Sequence, residues 1–157
     1  MLDIICQMIS IMKKNVLLSG GTGFVGKKLT DLLIQKGFSV SILSRSDKKN
    51  TADISYYKWN VSQEFIEEAA VLNADYIIHL AGENIADKRW TPERKGAIIN
   101  SRVQSIQLIQ SVLKNSNKKV DAFISASGIG IYGASNGEDI CFENTPAAND
   151  FLGTVCQ

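Results

Sequence analysis

The stretch NVLLSGGTGFVG, residues 15–26, places a short apolar run directly before a cluster of glycines. The run is apolar enough for a buried strand, and it predicts β structure over Asn15–Ser19. Beyond the glycines, apolar residues recur at helical spacing, at Val25, Leu29, Leu32 and Leu33. This period predicts a helix over Phe24–Lys36. The stretch therefore holds a strand, a tight turn and the start of a helix.

A second strand follows the predicted helix. Gly37 is a typical helix stop, and the segment Ser39–Ser44 (SVSILS) is a second strand candidate. A strand, a helix and a strand within about thirty residues form a βαβ unit. Because such a crossover joins parallel strands, the sequence predicts a parallel sheet.

The glycines fit a phosphate-binding turn. They form GxxGxxG counted from Gly20 or GxGxxG counted from Gly21, and they lie where a strand passes into a helix. Glycines there let the backbone approach a pyrophosphate, which binds the free N–H groups of the helix. We therefore predict a dinucleotide site that includes Gly20, Gly23, Phe24, Val25 and Gly26. The alternative is an unliganded tight turn.

The end of the second strand bears on which dinucleotide would bind. A carboxylate about twenty residues beyond the glycines suits the ribose hydroxyls of NAD, whereas a basic residue suits the extra phosphate of NADP. This chain has Arg45 there, with Ser46, Lys48 and Lys49 close by. We expect NADP(H) as the preferred cofactor, with NAD(H) as the second choice. The alternative is a solvated group of charges in a loop.

The alternation of strands and helices continues along the chain. Further strands are predicted at Tyr56–Lys58, Tyr76–Leu80 and Ala122–Ala126. A helix is predicted over Phe65–Leu72, and a long amphipathic helix follows Thr91 as N-cap and Pro92 as first residue. The fold class is therefore α/β, a doubly wound parallel sheet of the Rossmann type that binds NAD(P).

Composition narrows the choice of partner. The chain has 157 residues, 45% of them hydrophobic, and a formal net charge of +1. This charge is too small to favour nucleic acid or an anionic membrane, so we expect a small-molecule substrate and leave the oligomeric state open. The three cysteines include no CxxC pair, so we predict neither a disulfide framework nor a metal site. A reducing cytoplasm fits best.

The two ends of the chain carry separate expectations. Residues 1–12 are expected to be a leader, either disordered or an alternative start, because Met12 stands directly before the first strong strand. Residues 13–157 form the predicted NAD(P)-binding domain. A new helix is predicted to start only at Asp150, within the last turns of the chain. We therefore expect the domain to be incomplete.

Four segments together resemble a known family. They are GGTGFVG at 20–26, HLAGENIADKRW at 79–90, NSRV at 100–103 and SASGIGIYG at 125–133. They are similar to the atypical extended short-chain dehydrogenase/reductases, described as NAD-dependent epimerase/dehydratase-like. Members of that family are about twice as long, and their C-terminal half builds much of the substrate pocket. The resemblance implies that this chain is the cofactor half, truncated before the substrate lobe.

The resemblance also implies site residues. In the wider superfamily a Ser, a Tyr and a Lys carry the chemistry, and Ser127 matches the Ser. The final helix reads Leu152 to Cys156 where a YxxxK pair is expected, so the Tyr and the Lys are absent. Ala81 and Gly82 would pass under the cofactor. Arg102 fills the position of an earlier structural Asn, and we expect it, like Ala81 and Gly82, to be a cofactor-binding residue.

Three hypotheses about function follow. The first is an NADP(H)-dependent epimerase/dehydratase-like oxidoreductase acting on an unknown small molecule, with sugar nucleotides as one candidate class. The second is a non-catalytic dinucleotide-binding module, suggested by the missing Tyr and Lys. The third is an inactive truncated fragment. His79, the only histidine, closes an apolar strand, and we assign it a structural role.

Overall fold

The computed structural model describes residues 13–133 and 140–157, so the expected leader at residues 1–12 lies outside the described residues. The strands are β1 (Asn15–Ser19), β2 (Ser39–Ser44), β3 (Ile54–Asn60), β4 (Phe65–Ile66), β5 (Tyr76–His79) and β6 (Ala122–Ser125). The α-helices of the described part are α1 (Phe24–Gln35), α2 (Ala69–Leu72), α3 (Pro92–Asn115) and α4 (Phe151–Cys156). No helix among these residues is long and apolar enough to cross a membrane.

The six strands form one sheet in the order β4-β3-β2-β1-β5-β6. All neighbours are parallel except β3 and β4, which are antiparallel. The chain builds outward from β1 to β2 and β3 on one side, and to β5 and β6 on the other. The strand order therefore reverses at β1, and the carboxyl ends of strands at such a point form a ligand crevice. The predicted Rossmann-type α/β fold is confirmed.

Alternate residues of the central strands pack into two cores, one on each face of the sheet. Leu17 of β1 and Ile77 of β5 pack with Ile109 of α3. On the other face, Val16 and Leu18 of β1 pack against residues of α1 and their neighbours. Because both faces of a parallel sheet are covered, its strands are apolar throughout rather than alternating. This explains the continuous apolar runs in β1 and β5.

The prediction of a helix over Phe65–Leu72 is wrong in its first half. Phe65 and Ile66 form β4, which pairs with the end of β3, and only Ala69–Leu72 is helical. Glu64 has a φ of 52°, a left-handed conformation that turns the chain back on β3. Ile66 then lies buried in the same core cluster as Trp59. Tertiary packing thus overrides the local helical pattern.

Two predicted helix starts are confirmed. Thr91 is the N-cap of α3, and its hydroxyl oxygen accepts a hydrogen bond from the Arg94 N–H at 3.2 Å. Pro92 occupies the first turn, where a missing N–H costs nothing. Asp150 caps α4 in the same way, accepting from the Gly153 N–H at 2.7 Å.

Candidate functional site

A cleft of about 550 Å³ opens at the carboxyl end of the sheet. Its floor is the glycine loop between β1 and α1, and its walls come from the ends of β2, β3 and β5 and from one face of α3. The lining includes Gly20, Thr22, Gly23, Ser44, Arg45, Trp59, Asn60, Val61, Ser62, Leu80, Ala81, Gly82, Glu83, Asn100, Ser101 and Gln104. The cleft therefore lies at the topological switch point beside β1.

Two glycines of the loop have no room for a side chain. Gly20 has a φ of +74°, and a Cβ there would lie 2.9 Å from the Ala81 nitrogen. A Cβ on Gly26 would collide with the Gly20 carbonyl oxygen. Glycine at these positions lets the loop fold tightly and lets α1 approach β1 closely.

The start of α1 is suited to bind an anion. Gly23 is the N-cap and has no side chain to satisfy the first-turn N–H groups of Phe24, Val25 and Gly26. The side chains of Phe24 and Val25 are 88% and 62% exposed, so they do not fill the loop. These backbone amides, with the positive end of the helix dipole, are the features that hold a pyrophosphate in such folds.

Arg45 lines the cleft at the end of β2. The turn after it is held by Ser44, whose hydroxyl donates to the Ser46 carbonyl at 2.8 Å. Asp47, a potential competitor for the Arg45 charge, forms an ion pair with Lys58 instead, at 3.1 Å. Arg45 thus presents its positive charge at the cleft, close enough to help lower the pKa of Glu83.

The wall opposite the glycine loop was not predicted from sequence. It consists of Trp59, Asn60, Val61 and Ser62, where β3 passes into a 3-10 helix. Asn60 orders this turn, because its side-chain oxygen accepts from the Ser62 hydroxyl at 2.8 Å. The end of β3 could have been predicted to lie near the site, because the carboxyl ends of all parallel strands in such a sheet lie on the same side as the glycine loop.

Glu83 and Arg94 were also missed. They form an ion pair at 2.7 Å, and the Arg94 side chain is only 13% exposed. The Arg94 guanidinium, helped by the charges of Arg45 and Lys88, holds the pKa of the Glu83 carboxyl below its usual range. Glu83 therefore stays ionised at the cleft while Arg94 balances its charge.

Ala81 and Gly82 line the cleft, and their contact with a cofactor stays a prediction, whereas Arg102 lies behind them. A Cβ on Gly82 would lie 2.9 Å from the Arg102 guanidinium carbon. Arg102 donates to the Glu83 carbonyl at 3.2 Å and to the Ile98 carbonyl at 3.0 Å. The structure thus gives Arg102 a bracing contact to the loop after β5, and its contact with a cofactor stays a prediction.

His79 is buried between β1 and α3, with 3% of its surface exposed. Its Nδ1 lies 2.6 Å from the Ser19 hydroxyl oxygen, and its Nε2 lies 3.1 Å from that of Ser105. Burial, and secondarily the charge of Arg102, lowers the pKa of His79 to about 4. The imidazole is therefore neutral near pH 7, which agrees with the structural role expected from the sequence.

Comparison with known sequences identifies the family. The family model described as "NAD dependent epimerase/dehydratase family" matches residues 16–151, which cover β1 from its second residue, the glycine loop and the whole cleft. The chain belongs to the NAD-dependent epimerase/dehydratase family. The resemblance noted in the sequence is thereby confirmed.

Two curated relatives of this epimerase/dehydratase-family chain are bacterial proteins. It is 33% identical over 139 residues to the epimerase family protein YfhF of Bacillus subtilis (strain 168), covering 88% of this chain and 45% of that protein. It is 38% identical over 120 residues to the epimerase family protein SAOUHSC_00792 of Staphylococcus aureus (strain NCTC 8325 / PS 47), covering 76% of this chain and 39% of that protein. The chain spans less than half the length of these relatives.

Solved structures show the same fold. The crystal structure of human epimerase family protein SDR39U1 (isoform 2) with NADPH is 28% identical with a TM-score of 0.70, covering 90% of this chain and 45% of that one. The nucleoside-diphosphate sugar epimerase from Corynebacterium glutamicum is 30% identical with a TM-score of 0.71, covering 92% of this chain and 29% of that one.

In this family member, Ser127 and Cys156 lie away from the cleft lining. Ser127 is exposed, between β6 and a 3-10 helix at Ile129–Tyr132. The Cys156 thiol is 3.7 Å from the Gly128 carbonyl oxygen, so α4 packs beside the Ser127 segment. The Phe151 ring of α4 contacts Trp90, with ring centroids 5.1 Å apart. The catalytic role of Ser127 stays a prediction.

Proposed function

We propose that this chain binds NADP(H) and is the cofactor-binding part of an epimerase/dehydratase-like oxidoreductase in the cytoplasm. The observation that carries the proposal is the cleft at the switch point, where uncapped first-turn amides of α1 meet a loop that only glycine can form. Membership of the family supports the same reading.

The residues around the cleft suggest how the cofactor would be held. The first-turn amides of α1 would bind the pyrophosphate, and Asn60 and Val61 lie at the far wall, where the adenine side of a dinucleotide would fit. Ala81 and Gly82 would contact it through their backbone. A bound nicotinamide would supply hydride acceptance or donation.

Arg45 supports NADP(H) over NAD(H). Its guanidinium lines the cleft, and the nearby Asp47 is paired with Lys58. A guanidinium at this position accommodates a 2′-phosphate by charge-assisted hydrogen bonds, whereas the ribose hydroxyls of NAD favour a carboxylate. The related human protein was crystallised with NADPH, which is in keeping with this proposal.

The substrate is proposed only as a small molecule, with sugar nucleotides as the first class to try, since one related structure is named as a nucleoside-diphosphate sugar epimerase. Ser127 would orient a carbonyl or hydroxyl group of the substrate through its own hydroxyl. It follows β6 and lies next to α4.

A second candidate is a non-catalytic dinucleotide-binding module. The observation that favours it is the sequence of α4, which has Leu152 and Cys156 where the family resemblance expects Tyr and Lys. Turnover of NADPH or NADP⁺ with a carbonyl compound or a sugar nucleotide would eliminate this candidate.

Isothermal titration of the chain with NADPH and with NADH tests the proposal. We expect tighter binding of NADPH. In Arg45→Asp the preference should fall by about tenfold or more, because a charged hydrogen-bond partner of the phosphate is lost. Failure of the unaltered chain to bind either cofactor would overturn the proposal, and an unchanged preference in Arg45→Asp would remove Arg45 from the site.

A further inference from the structure

A hydrogen-bonded row of polar side chains, Ser19, His79 and Ser105, crosses the space between β1, β5 and α3. Ser19 and Ser105 have no exposed surface, and His79 between them is 3% exposed. Buried polar groups are costly unless they are hydrogen-bonded, so each member of this set needs its partners. The proposed function makes no use of these three side chains.

The hydrogen bonds among these three side chains have a fixed direction. The Ser105 hydroxyl donates to the Arg102 carbonyl at 2.8 Å, so its oxygen accepts from His79 Nε2–H. His79 Nδ1 is then unprotonated and accepts the proton of the Ser19 hydroxyl. The opposite tautomer would leave the Ser19 proton without an acceptor among the described residues. The neutral Nε2–H form of His79 therefore satisfies every group.

Ser19 joins the start of the glycine loop to the Leu80–Ala81 segment through two hydrogen bonds. Its carbonyl accepts from the Leu80 N–H at 3.0 Å, and its hydroxyl oxygen accepts from the Ala81 N–H at 3.3 Å. Ser19 directly precedes Gly20, whose backbone packs against Leu80 and Ala81 so closely that a Cβ would collide with them. The orientation of the Ser19 hydroxyl therefore fixes the Ala81 backbone relative to the glycine loop.

We propose that His79 is a positioning residue for dinucleotide binding, because it orients the Ser19 hydroxyl and thereby holds the Ala81 amide against the glycine loop. This inference rests on the proposed function, since the spacing between the glycine loop and Ala81 affects binding only if the cleft binds a dinucleotide. His79 is not among the residues that line the cleft. It acts through Ser19 on the spacing between Gly20 and Ala81, which do line it.

Two buried serines provide a matched test. Ser19→Ala removes the link to Ala81, whereas Ser41→Ala removes a buried hydroxyl of β2 that is bonded at 3.0 Å to Asn15, the first residue of β1. Both variants should lower the melting temperature. Only Ser19→Ala should weaken NADPH binding, by about fivefold, the loss of one hydrogen bond. Equal NADPH affinities of the two variants would overturn the inference.

Two replacements of His79 test independently whether it acts through the Ser19 hydroxyl. They remain informative if Ser19→Ala does not fold. The side-chain oxygen of Asn can replace Nδ1 as acceptor for Ser19, whereas Gln reaches the Ser105 side. We expect His79→Asn to bind NADPH more tightly than His79→Gln by about fivefold. Equal affinities contradict the inference. Absence of NADPH binding by the unaltered chain overturns the proposed function, and the inference falls with it.

Discussion

Gly26 shows how one residue without a side chain shapes the site. Its missing Cβ is the space that the Gly20 carbonyl and the Gly21 backbone occupy. Gly26→Ala should therefore destabilise the fold by about 2 kcal/mol through overpacking, and it should weaken NADPH binding. Thermal unfolding and a titration with NADPH measure the two effects.

Gly96 in α3 is the matched control for Gly26. A Cβ on Gly96 meets no atom within 4 Å. Gly96→Ala should therefore stabilise the chain by about 0.5–1 kcal/mol, the difference in helix propensity. If both substitutions had the same effect, the close approach of the glycine loop to α1 would not matter for stability.

His79 makes the free energy of unfolding depend on pH between about 4 and 6.5. Its pKa is about 4 in the folded chain, because burial disfavours the imidazolium, and 6.5 is the ordinary value that applies after unfolding. Between these values the unfolded chain binds a proton that the folded chain does not. The stability is therefore complete above pH 6.5 and falls towards pH 4, by about 3 kcal/mol at most.

Urea unfolding at several pH values between 4.5 and 7 measures this dependence. His79 is the only histidine of the chain, so few other groups titrate there. The variant His79→Asn should show a nearly flat profile. A profile as steep as that of the unaltered chain would mean that another group causes the loss.

At the level of the elements, α3 depends on its N-cap. The Thr91 hydroxyl oxygen satisfies one of the first-turn N–H groups, that of Arg94. Thr91→Ala should lower the free energy of unfolding by about 1 kcal/mol, and Thr91→Ser should retain most of it. Chemical unfolding of the two variants checks this, and equal stabilities would show that the cap contributes nothing.

The elements that could be predicted are those decided by local pattern. Each of these depends only on residues that are close together in the sequence: the patterns of β1 and α1, the Thr91-Pro92 start of α3 and the start of α4 at Asp150. By contrast, β4 is decided by Trp59, which lies several residues away and buries Ile66 beside it. No local pattern could reveal that pairing.

The site divides in the same way. The glycine loop is a sequence signature, and Arg45 follows from its distance to that loop. The wall at Trp59–Ser62 and the Glu83–Arg94 pair depend on which strand ends come together, which is known only once the sheet is assembled. Arg102 shows the reverse case, since its place behind Gly82 could not be distinguished from a place in the cleft.

At the level of the whole molecule, the sheet has an open edge at β6. In the described residues no strand lies beyond it, and Ile124 of this strand is 54% exposed. Further apolar side chains are exposed in the segments that follow, at Ile129, Ile140 and Phe142. An unpaired edge with apolar side chains favours association with other chains.

Ile124→Lys should therefore reduce aggregation of the chain in light-scattering experiments, because a charge on an edge strand opposes pairing. Val103→Lys is the control, since Val103 of α3 is 46% exposed and lies outside the sheet. An equal reduction by both variants would point to added charge alone rather than to the edge of the sheet.

The central claim is that the first-turn amides of α1 bind the diphosphate of the cofactor. Amide chemical shifts during a titration with NADPH test it most directly. We expect the N–H signals of Phe24, Val25 and Gly26 to shift most, and those of the first turn of α3, capped by Thr91, to stay in place. Binding of NADPH with unchanged signals at Phe24–Gly26 would contradict the account.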